Sequence, residues 1–340
     1  MKKIAILLVL FAGLFACTNQ KNEFDDYKYT TGYFPYQFPV RTLVLGDYIY
    51  DNTNDNNHTF LISAAMGGVY SNLQDRVFDI AVDESLCDNV MFSSSKDTIT
   101  VMPKAYYTLS SSDKLTIPSG KFSGNIEVHL TDAFFNDPKA IKLGYVIPIR
   151  LKASKDVDSI LQGSTTVLNP DPRFASDWSV MPKNYTMFAV KFINPYHGKY
   201  LHRGVSVVKD ASNTQIEKTV YHPTYVVDDE LWSLVTTGKS QVSVAGVLHS
   251  SIVTGAFNML LSFADDGTCS ISQAPGSAYT ITGTGKFSKD ADEWGNEKRD
   301  AIYLNYQFSN GTNTYSATDT LVVRDRAVVM ETYTPAYLGK

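Results

Sequence analysis

Alternation of apolar and polar residues is the sequence feature that most restricts what this chain can fold into. Between Gly124 and Leu130, the apolar residues Ile126, Val128 and Leu130 alternate with polar ones. Successive side chains of a β-strand point to opposite faces, so a period of two predicts a strand with one buried face. The alternation recurs along both halves, and no long segment has the 3.6-residue period of a helix. We therefore predict an all-β protein.

The alternation lapses between residues 154 and 177, where Asn169-Pro170-Asp171-Pro172 favours turns and removes backbone donors. A chain of 340 residues also exceeds what one hydrophobic core usually serves. We predict an N-terminal domain at 31–153, a linker at 154–177 and a C-terminal domain at 178–340. About seven short strands favour an immunoglobulin-like β-sandwich for the first domain.

Two hairpins are predicted in the C-terminal domain. Residues 260–264 return to 270–271 through Asp266-Gly267, and residues 303–308 return to Tyr315 through Asn310-Gly311. Glycine supplies the positive φ that tight hairpin turns require. Sequential hairpins favour an up-and-down, lipocalin-like β-barrel, and a second β-sandwich is the alternative.

The N-terminus has the pattern of a bacterial lipoprotein signal. Lys2 and Lys3 precede an apolar run over residues 4–15, which ends in Leu14-Phe15-Ala16-Cys17. The run is shorter than the roughly 20 residues of a membrane-spanning helix. We predict a signal peptide at 1–16, with a lipidated Cys17 and a flexible tether at 17–30. A lipid-anchored outer-membrane protein exposed at the cell surface is expected, and a periplasm-facing one is the alternative.

The charge of the chain restricts its possible partners, and its cysteine content bears on disulfide bonding. The 30 basic and 35 acidic residues give a net charge of −5, and no basic stripe is visible. These features argue against nucleic acid as a partner. With Cys17 lipidated, Cys87 and Cys269 remain, one in each predicted domain, and we expect two small buried side chains rather than a disulfide.

The sequence contains no nucleophile elbow, zinc signature, phosphate-binding loop or dinucleotide fingerprint. The six histidines are scattered, and we predict no metal, no cofactor and no catalytic residue. The oxygen-rich segment Asp51–Asn57 could wrap calcium, but a mobile hairpin loop is the preferred interpretation. The 35 acidic residues distinguish no pair of carboxylates for glycoside hydrolysis.

Aromatic residues beside polar ones are the better candidates for a binding site, because sugars present C–H faces to rings and hydroxyl groups to amides and carboxylates. Two turns carry such pairs: Trp294 with Asn296 in the loop 290–300, and Tyr196 with His197 in residues 194–198. We predict these four residues as ligand-binding. The structural alternatives are a packed tryptophan that anchors a loop and a tyrosine corner.

Several short segments, in this order and spacing, resemble Bacteroidetes surface lipoproteins encoded in polysaccharide utilisation loci. The segments are Tyr33-Phe34-Pro35, Arg41-Thr42 with Leu45-Gly46, Leu115–Gly120, Tyr145–Arg150, Val190–Gly198, Trp294–Asp300 and Asp319–Arg326. The first half is similar to the non-catalytic domain that precedes the catalytic barrel of Bacteroides endo-β-N-acetylglucosaminidases. We interpret the charged residues of 298–300 and 324–326 as ion pairs that fix loops.

This resemblance implies a non-catalytic, cell-surface protein that captures polysaccharide or glycoprotein glycan for an outer-membrane uptake system. The expected partners are the glycan, the outer membrane through the lipid anchor, and an outer-membrane transporter complex. Two alternatives stay open. The chain could be a structural lipoprotein that docks to a transporter or glycosidase, or a glycoside hydrolase whose site has no recognisable motif.

Overall fold

The structure, a computed structural model, describes residues 26–338. Strands dominate this range and helices are limited to single turns, which confirms the all-β prediction. The signal peptide at 1–16, Cys17 and most of the tether lie outside the described residues. Within the described range, no helix has the length and apolar character needed to cross a bilayer.

The first half contains short strands and two one-turn helices. The strands are β1 (Thr31–Tyr33), β2 (Pro39–Val44), β3 (Thr59–Gly67), β4 (Arg76–Val82), β5 (Val90–Phe92), β6 (Thr100–Val101), β7 (Tyr107–Leu109), β8 (Lys114–Ile117), β9 (Ser123–Leu130), β10 (Tyr145–Ser154) and β11 (Ser159–Ile160). The helices are α1 (Thr53–Asn56) and α2 (Asp132–Phe135). Single 3-10 turns lie at Glu84–Cys87, Lys104–Tyr106, Pro138–Ile141, Ala175–Asp177 and Val226–Asp228.

Most strands of the second half are longer than those of the first. They are β12 (Tyr185–Ile193), β13 (Gly198–Lys209), β14 (Gln215–Tyr221), β15 (Glu230–Gly238), β16 (Gln241–Val247), β17 (Ala256–Phe263), β18 (Thr268–Gln273), β19 (Ile281–Trp294), β20 (Glu297–Ser309), β21 (Thr314–Asp325), β22 (Glu331–Thr332) and β23 (Pro335–Tyr337).

Two sheets pack face to face in the N-terminal domain. One has the strand order β11-β1-β3-β9-β7, and the other has the order β22-β2-β12-β10-β4-β8 with β6 beside β10. Alternate residues of β9 are buried, among them Ile126 and Val128, and they share one core with Phe78 and Ile147 of the other sheet. Burial of each such side chain contributes about 1.5–3 kcal/mol. The N-terminal domain is therefore a β-sandwich, as predicted.

A closed barrel forms the C-terminal domain. Its eight strands are β13 and β15 to β21, which follow one another around the barrel until β21 pairs with β13 along nearly its whole length. β14 extends the wall by pairing with β13 beyond the segment that β15 covers. Gly267 and Gly311 have φ of +82° and +89° at the two predicted hairpin turns. Apolar side chains fill the interior, and the up-and-down barrel prediction is confirmed.

The domain division differs from the one predicted at residues 154–177 and 178–340. Strand β12 lies inside the N-terminal sheet, between β10 and the parallel strand β2, and β11, within the predicted linker, pairs with β1. β12 is apolar on both faces, with Val190 and Phe192 in one core and Met187 in another. After the barrel, β22 and β23 return to the first domain. The pairing of β12 with β2 joins distant segments, so the local pattern could not reveal it.

The oxygen-rich segment Asp51–Asn57 forms the helical turn α1 rather than a mobile hairpin loop. Its Asp55 is buried, where its carboxylate accepts a hydrogen bond from the backbone N–H of Val44 at 2.8 Å and pairs with Arg41. Burial raises the pKa of Asp55. The carboxylate thus has protein donors as partners, which ties α1 to the end of β2.

Cys87 and Cys269 are both buried and not joined in a disulfide, which confirms the expectation of two small core side chains. Burial raises the pKa of each thiol to about 12. Neither cysteine is therefore a reactive thiolate at neutral pH.

Candidate functional site

Trp294 lies at the tip of the long hairpin formed by β19 and β20, not in the loop 290–300 that the sequence suggested. The two strands resume pairing after a bulge between Ser288 and Asp292. Only Gly295 and Asn296 remain for the turn, with φ of +64° and +61°. Two consecutive positive φ angles give the tight hairpin turn whose twist matches the flanking strands. Trp294 is consequently held on a rigid hairpin.

The indole of Trp294 is fixed on two sides. Its Nε1 donates a hydrogen bond to the carbonyl of Val323 at 3.0 Å, and the Arg299 guanidinium lies 4.9 Å from its ring centroid. Arg299 in turn donates to Glu297 at 2.7 Å. A cation over an indole face is an attractive contact. Trp294 therefore anchors the hairpin, as the structural alternative held, while remaining half-exposed.

A cleft of about 1040 Å³ separates this side of the barrel from the Asp47–Tyr50 segment of the N-terminal domain. We call it the interdomain cleft. Its apolar lining includes Tyr48, Ile49, Tyr50, Leu231, Trp294, Val323, Val328 and Val329. Its charged lining includes Asp47, Lys199, Asp290, Glu297, Lys298, Arg299, Asp300, Arg324, Asp325 and Arg326. This volume lies at the upper end of the range for ligand pockets and leaves room for a ligand of several sugar rings.

The N-terminal wall of the cleft presents exposed rings. Tyr50 is 67% exposed, and its ring centroid lies 5.4 Å from that of Tyr48 in an edge-to-face arrangement. Ile49 between them is also exposed. Lys289 of the barrel pairs with Asp47 at 2.5 Å and joins the two walls. Sequence reasoning missed this wall, although Gly46-Asp47-Tyr48-Ile49-Tyr50 combines rings, a carboxylate and a glycine as the segment 290–300 does.

Arg326 closes the floor of the cleft and connects both domains. Its buried guanidinium donates to the carbonyls of Leu45 and Asp47 in the N-terminal domain, at 3.0 and 2.6 Å. It also donates to Asn194 and His197 in the turn between the domains, each at 2.7 Å. Burial lowers the pKa of Arg326 from its ordinary value, but an arginine stays charged in proteins. Arg326 is structural, as predicted for residues 324–326, but it acts through hydrogen bonds to backbone carbonyls rather than through the predicted ion pair.

Tyr196 and His197 lie in the turn between β12 and β13 and not in the lining of the interdomain cleft. The Tyr196 ring stacks on Phe263 with centroids 3.7 Å apart. Nδ1 of His197 accepts a hydrogen bond from the backbone N–H of Thr236 at 3.1 Å. Both side chains therefore pack the barrel end. Asn296 is exposed at the hairpin turn, so of the four predicted residues, all within the described range, Trp294 lines the cleft.

The buried His197 predicts a loss of stability in acid. Burial first, and then the positive charge of Arg326, lower the pKa of His197 from 6.5 to about 4. Between those values the unfolded chain binds a proton that the folded protein does not. The free energy of unfolding therefore decreases as the pH is lowered, by at most about 1.4 kcal/mol per pH unit. We expect the free energy of unfolding, measured in urea, to fall less for His197→Asn than for the native protein between pH 7 and pH 4.5. His222→Asn, at an exposed position, is the control, and equal slopes in all three proteins would contradict this role.

Family models match both halves of the chain. A domain of unknown function, DUF5627, matches residues 195–327, which contain the barrel. A model described as an N-terminal domain matches residues 26–158. A crystal structure of a Bacteroides ovatus protein of unknown function is 36% identical to the chain, with a TM-score of 0.85. That match covers 92% of this chain and 99% of the Bacteroides ovatus chain.

Other Bacteroides ovatus structures are more distant. A multidomain protein including DUF1735 is 12% identical with a TM-score of 0.41, over 87% of this chain and 94% of the other. A candidate carbohydrate-binding protein is 14% identical with a TM-score of 0.28, over 91% and 98% of the two chains. Such low similarity supports no functional argument. No curated protein matches the chain.

Proposed function

The chain belongs to the family of the Bacteroides ovatus protein of unknown function that it matches at 36% identity, and we propose that it is a glycan-binding protein that acts without catalysis. In this proposal, the interdomain cleft holds a polysaccharide or a glycoprotein glycan. The observation that carries it is that the exposed rings of the Asp47–Tyr50 segment and the indole of Trp294 line the same cleft.

The chemistry of the interdomain cleft suits sugar rings. An aromatic face attracts the polarised C–H groups of a pyranose, and burial of those groups against the ring removes apolar surface from water. Lys199, Arg299 and Asp300 line the same cleft and offer donors and acceptors for hydroxyl groups. Because the hydrogen bond to Val323 already holds the Trp294 indole in place, little of its side-chain entropy is lost when a ligand binds.

We further propose that lipidated Cys17 anchors the protein to the outer membrane, with the cleft at the cell surface. The support is the lipoprotein pattern Leu14-Phe15-Ala16-Cys17 and the polar residues that follow it. An anchored protein would capture glycan and pass it to an outer-membrane transporter complex. The proposal assigns no catalytic role to the acidic groups of the cleft, and none of the relatives reported above is described as an enzyme.

Substitution in the interdomain cleft tests the proposal. We expect one class in a panel of soluble polysaccharides and glycoprotein glycans to retard the protein in affinity gels, and Trp294→Ala and Tyr50→Ala each to weaken binding at least about tenfold by calorimetry. Tyr70→Ala is the matched control, because Tyr70 is 63% exposed in the same domain as Tyr50 but is not among the residues that line the cleft.

The outcomes separate the alternatives. Binding that survives both cleft substitutions would place the site elsewhere, and no retardation by any glycan would favour a docking protein instead. Release of shortened sugars during the binding experiment would indicate a hydrolase. Thermal unfolding of each variant checks that the fold persists.

A further inference from the structure

A histidine and carboxylate cluster lies at one end of the barrel, and none of its three residues lines the interdomain cleft. His202 of β13 stands directly opposite Glu230, the first residue of β15. His249, just after β16, reaches the same carboxylate. The three residues are separated by 28 and 19 positions in the chain, and the antiparallel pairing of β13, β15 and β16 brings them together. Sequence reasoning, which looked for closely spaced histidines, expected no metal here.

The three side chains are close enough to share one ion, and in the present arrangement they lie at hydrogen-bonding distances. Oε2 of Glu230 lies 2.9 Å from Nδ1 of His202 and 3.1 Å from Nε2 of His249, and the three ligand atoms lie within 4.8 Å of one another. A tetrahedral zinc ion with bonds of about 2.0–2.1 Å places its ligand atoms about 3.3 Å apart. A shift of one or two ångströms by His249 would complete that geometry.

The group behind His202 has the arrangement that commonly supports a metal-bound histidine. Oδ2 of Asp319 lies 3.0 Å from Nε2 of His202, and both side chains are fully buried. Asp319 also accepts hydrogen bonds from the hydroxyl groups of Tyr306, at 2.7 Å, and Tyr221. Nε2 of His202 makes no hydrogen bond in the present arrangement. With an ion on Nδ1, Nε2–H would have this carboxylate as its acceptor, a contact that orients the ring and raises the basicity of Nδ1.

Aromatic contacts hold both imidazole rings in place. Trp232 stacks on His202 with centroids 3.6 Å apart, and Tyr221 stacks on His249 at 3.9 Å. The backbone at Gly204 leaves room for the carboxylate behind them, since a Cβ there would lie 2.1 Å from Oδ1 of Asp319. These contacts hold the two rings near the positions that an ion requires, and His249 is the group that has to move.

Access is open on one side only. The side chains of Glu230 and His249 are 42% and 27% exposed, whereas that of His202 is buried. An ion would enter from solvent and keep water in its fourth position, as in zinc sites with three protein ligands. Two imidazoles and one carboxylate suit zinc and its first-row neighbours, whereas magnesium and calcium prefer oxygen ligands alone.

We infer that His202, Glu230 and His249 bind one divalent transition-metal ion, zinc in the first instance, with Asp319 positioning His202. This site is independent of the proposed glycan binding. The competing interpretation is a hydrogen-bonded network that only stabilises the barrel end.

Metal titration of the purified protein, prepared without a polyhistidine tag and stripped with a chelator, tests the inference. We expect one equivalent of Zn²⁺ to bind by calorimetry, one equivalent of Co²⁺ to give the visible absorption of a tetrahedral site, and Mg²⁺ to give neither signal. His249→Ala and Glu230→Gln should each lower the Zn²⁺ affinity by about 100-fold or more, because even the loss of an outer partner costs 10–100-fold.

His129→Ala is the control, because His129 is exposed on β9 of the other domain. It should bind Zn²⁺ as the native protein does. Because His249 lies on a partly exposed loop, its variant should fold, which circular dichroism and thermal unfolding can verify. Absence of Zn²⁺ and Co²⁺ signals from the native protein, or equal affinities in the native protein and His249→Ala, would overturn the metal site and leave the structural network.

Discussion

Replacement of Arg326 by methionine should lower the free energy of unfolding by about 4 kcal/mol. The substitution leaves four carbonyl groups, those of Leu45, Asp47, Asn194 and His197, without the guanidinium donors that they have in the native protein. Each charge-assisted hydrogen bond contributes about 1.5–3 kcal/mol, and a buried acceptor left unpaired costs about 1–3 kcal/mol. Urea unfolding followed by circular dichroism measures the change.

The same substitution should weaken glycan binding, because Arg326 holds the Asp47–Tyr50 segment against the barrel. Arg326→Lys should give an intermediate loss of stability, since an ammonium group lacks the planar fork that reaches four acceptors. The control is Arg324→Met, because the Arg324 side chain is 47% exposed and pairs with its neighbour Asp325. Exposed pairs contribute about 0–1 kcal/mol. Similar unfolding curves for Arg326→Met and Arg324→Met would refute the role of Arg326 as the interdomain connection.

Replacement of Asp319 by alanine should destabilise the barrel by about 3–5 kcal/mol. The change leaves the hydroxyl groups of Tyr221 and Tyr306 without their acceptor, and it leaves His202 facing a cavity. Removal of one partner from a buried charged network has costs of this size. Burial, followed by the charge of Asp319, raises the pKa of Tyr306 well above its ordinary value of 10, so its hydroxyl stays a donor throughout the accessible pH range.

Unfolding in urea also measures this change, with Asp325→Ala as the control at an exposed carboxylate on the same strand. A double-mutant cycle with Tyr306→Phe isolates the pair. We expect a coupling energy of about 1–3 kcal/mol between Tyr306 and Asp319. A loss below about 1 kcal/mol for Asp319→Ala would mean that the network contributes little to the barrel, whatever its part in metal binding.

Each of the two substitutions removes a buried polar group that joins separate parts of the chain. Arg326 joins the two domains, and Asp319 joins side chains of several barrel strands. Arg326 stands at the end of the last barrel strand, where the chain leaves the barrel and returns to β22 and β23 of the first domain. Its acceptors lie in the segment after β2 and in the turn before β13. One side chain therefore ties three chain segments and sets the spacing between the walls of the cleft.

Local patterns in the sequence were sufficient for the individual strands. The alternation in β9 and the turns at Gly267 and Gly311 gave the correct hairpins and buried faces. The alternation arises within a few residues, because each side chain reports only whether its own face is buried. The all-β class and the up-and-down barrel follow from such short-range information.

Pairing between distant chain segments decided the strand order and the residues that meet in the cleft. The sequence could not place β12 beside β2, and it could not show that the Asp47–Tyr50 segment faces Trp294. Trp294 lines the cleft, whereas Tyr196 and His197 carry the same local signature and pack into the barrel end.

The sequence by itself thus determined which residues form strands and which faces are apolar. Only the tertiary structure decided which polar side chains meet, as with His202, Glu230 and His249 around one carboxylate and Arg326 beneath the cleft. The physical reason is that burial favours an alternating pattern at every strand independently, whereas contacts between side chains depend on strand order and register. Those are fixed by the closure of the barrel and the packing of the sheets over the whole chain.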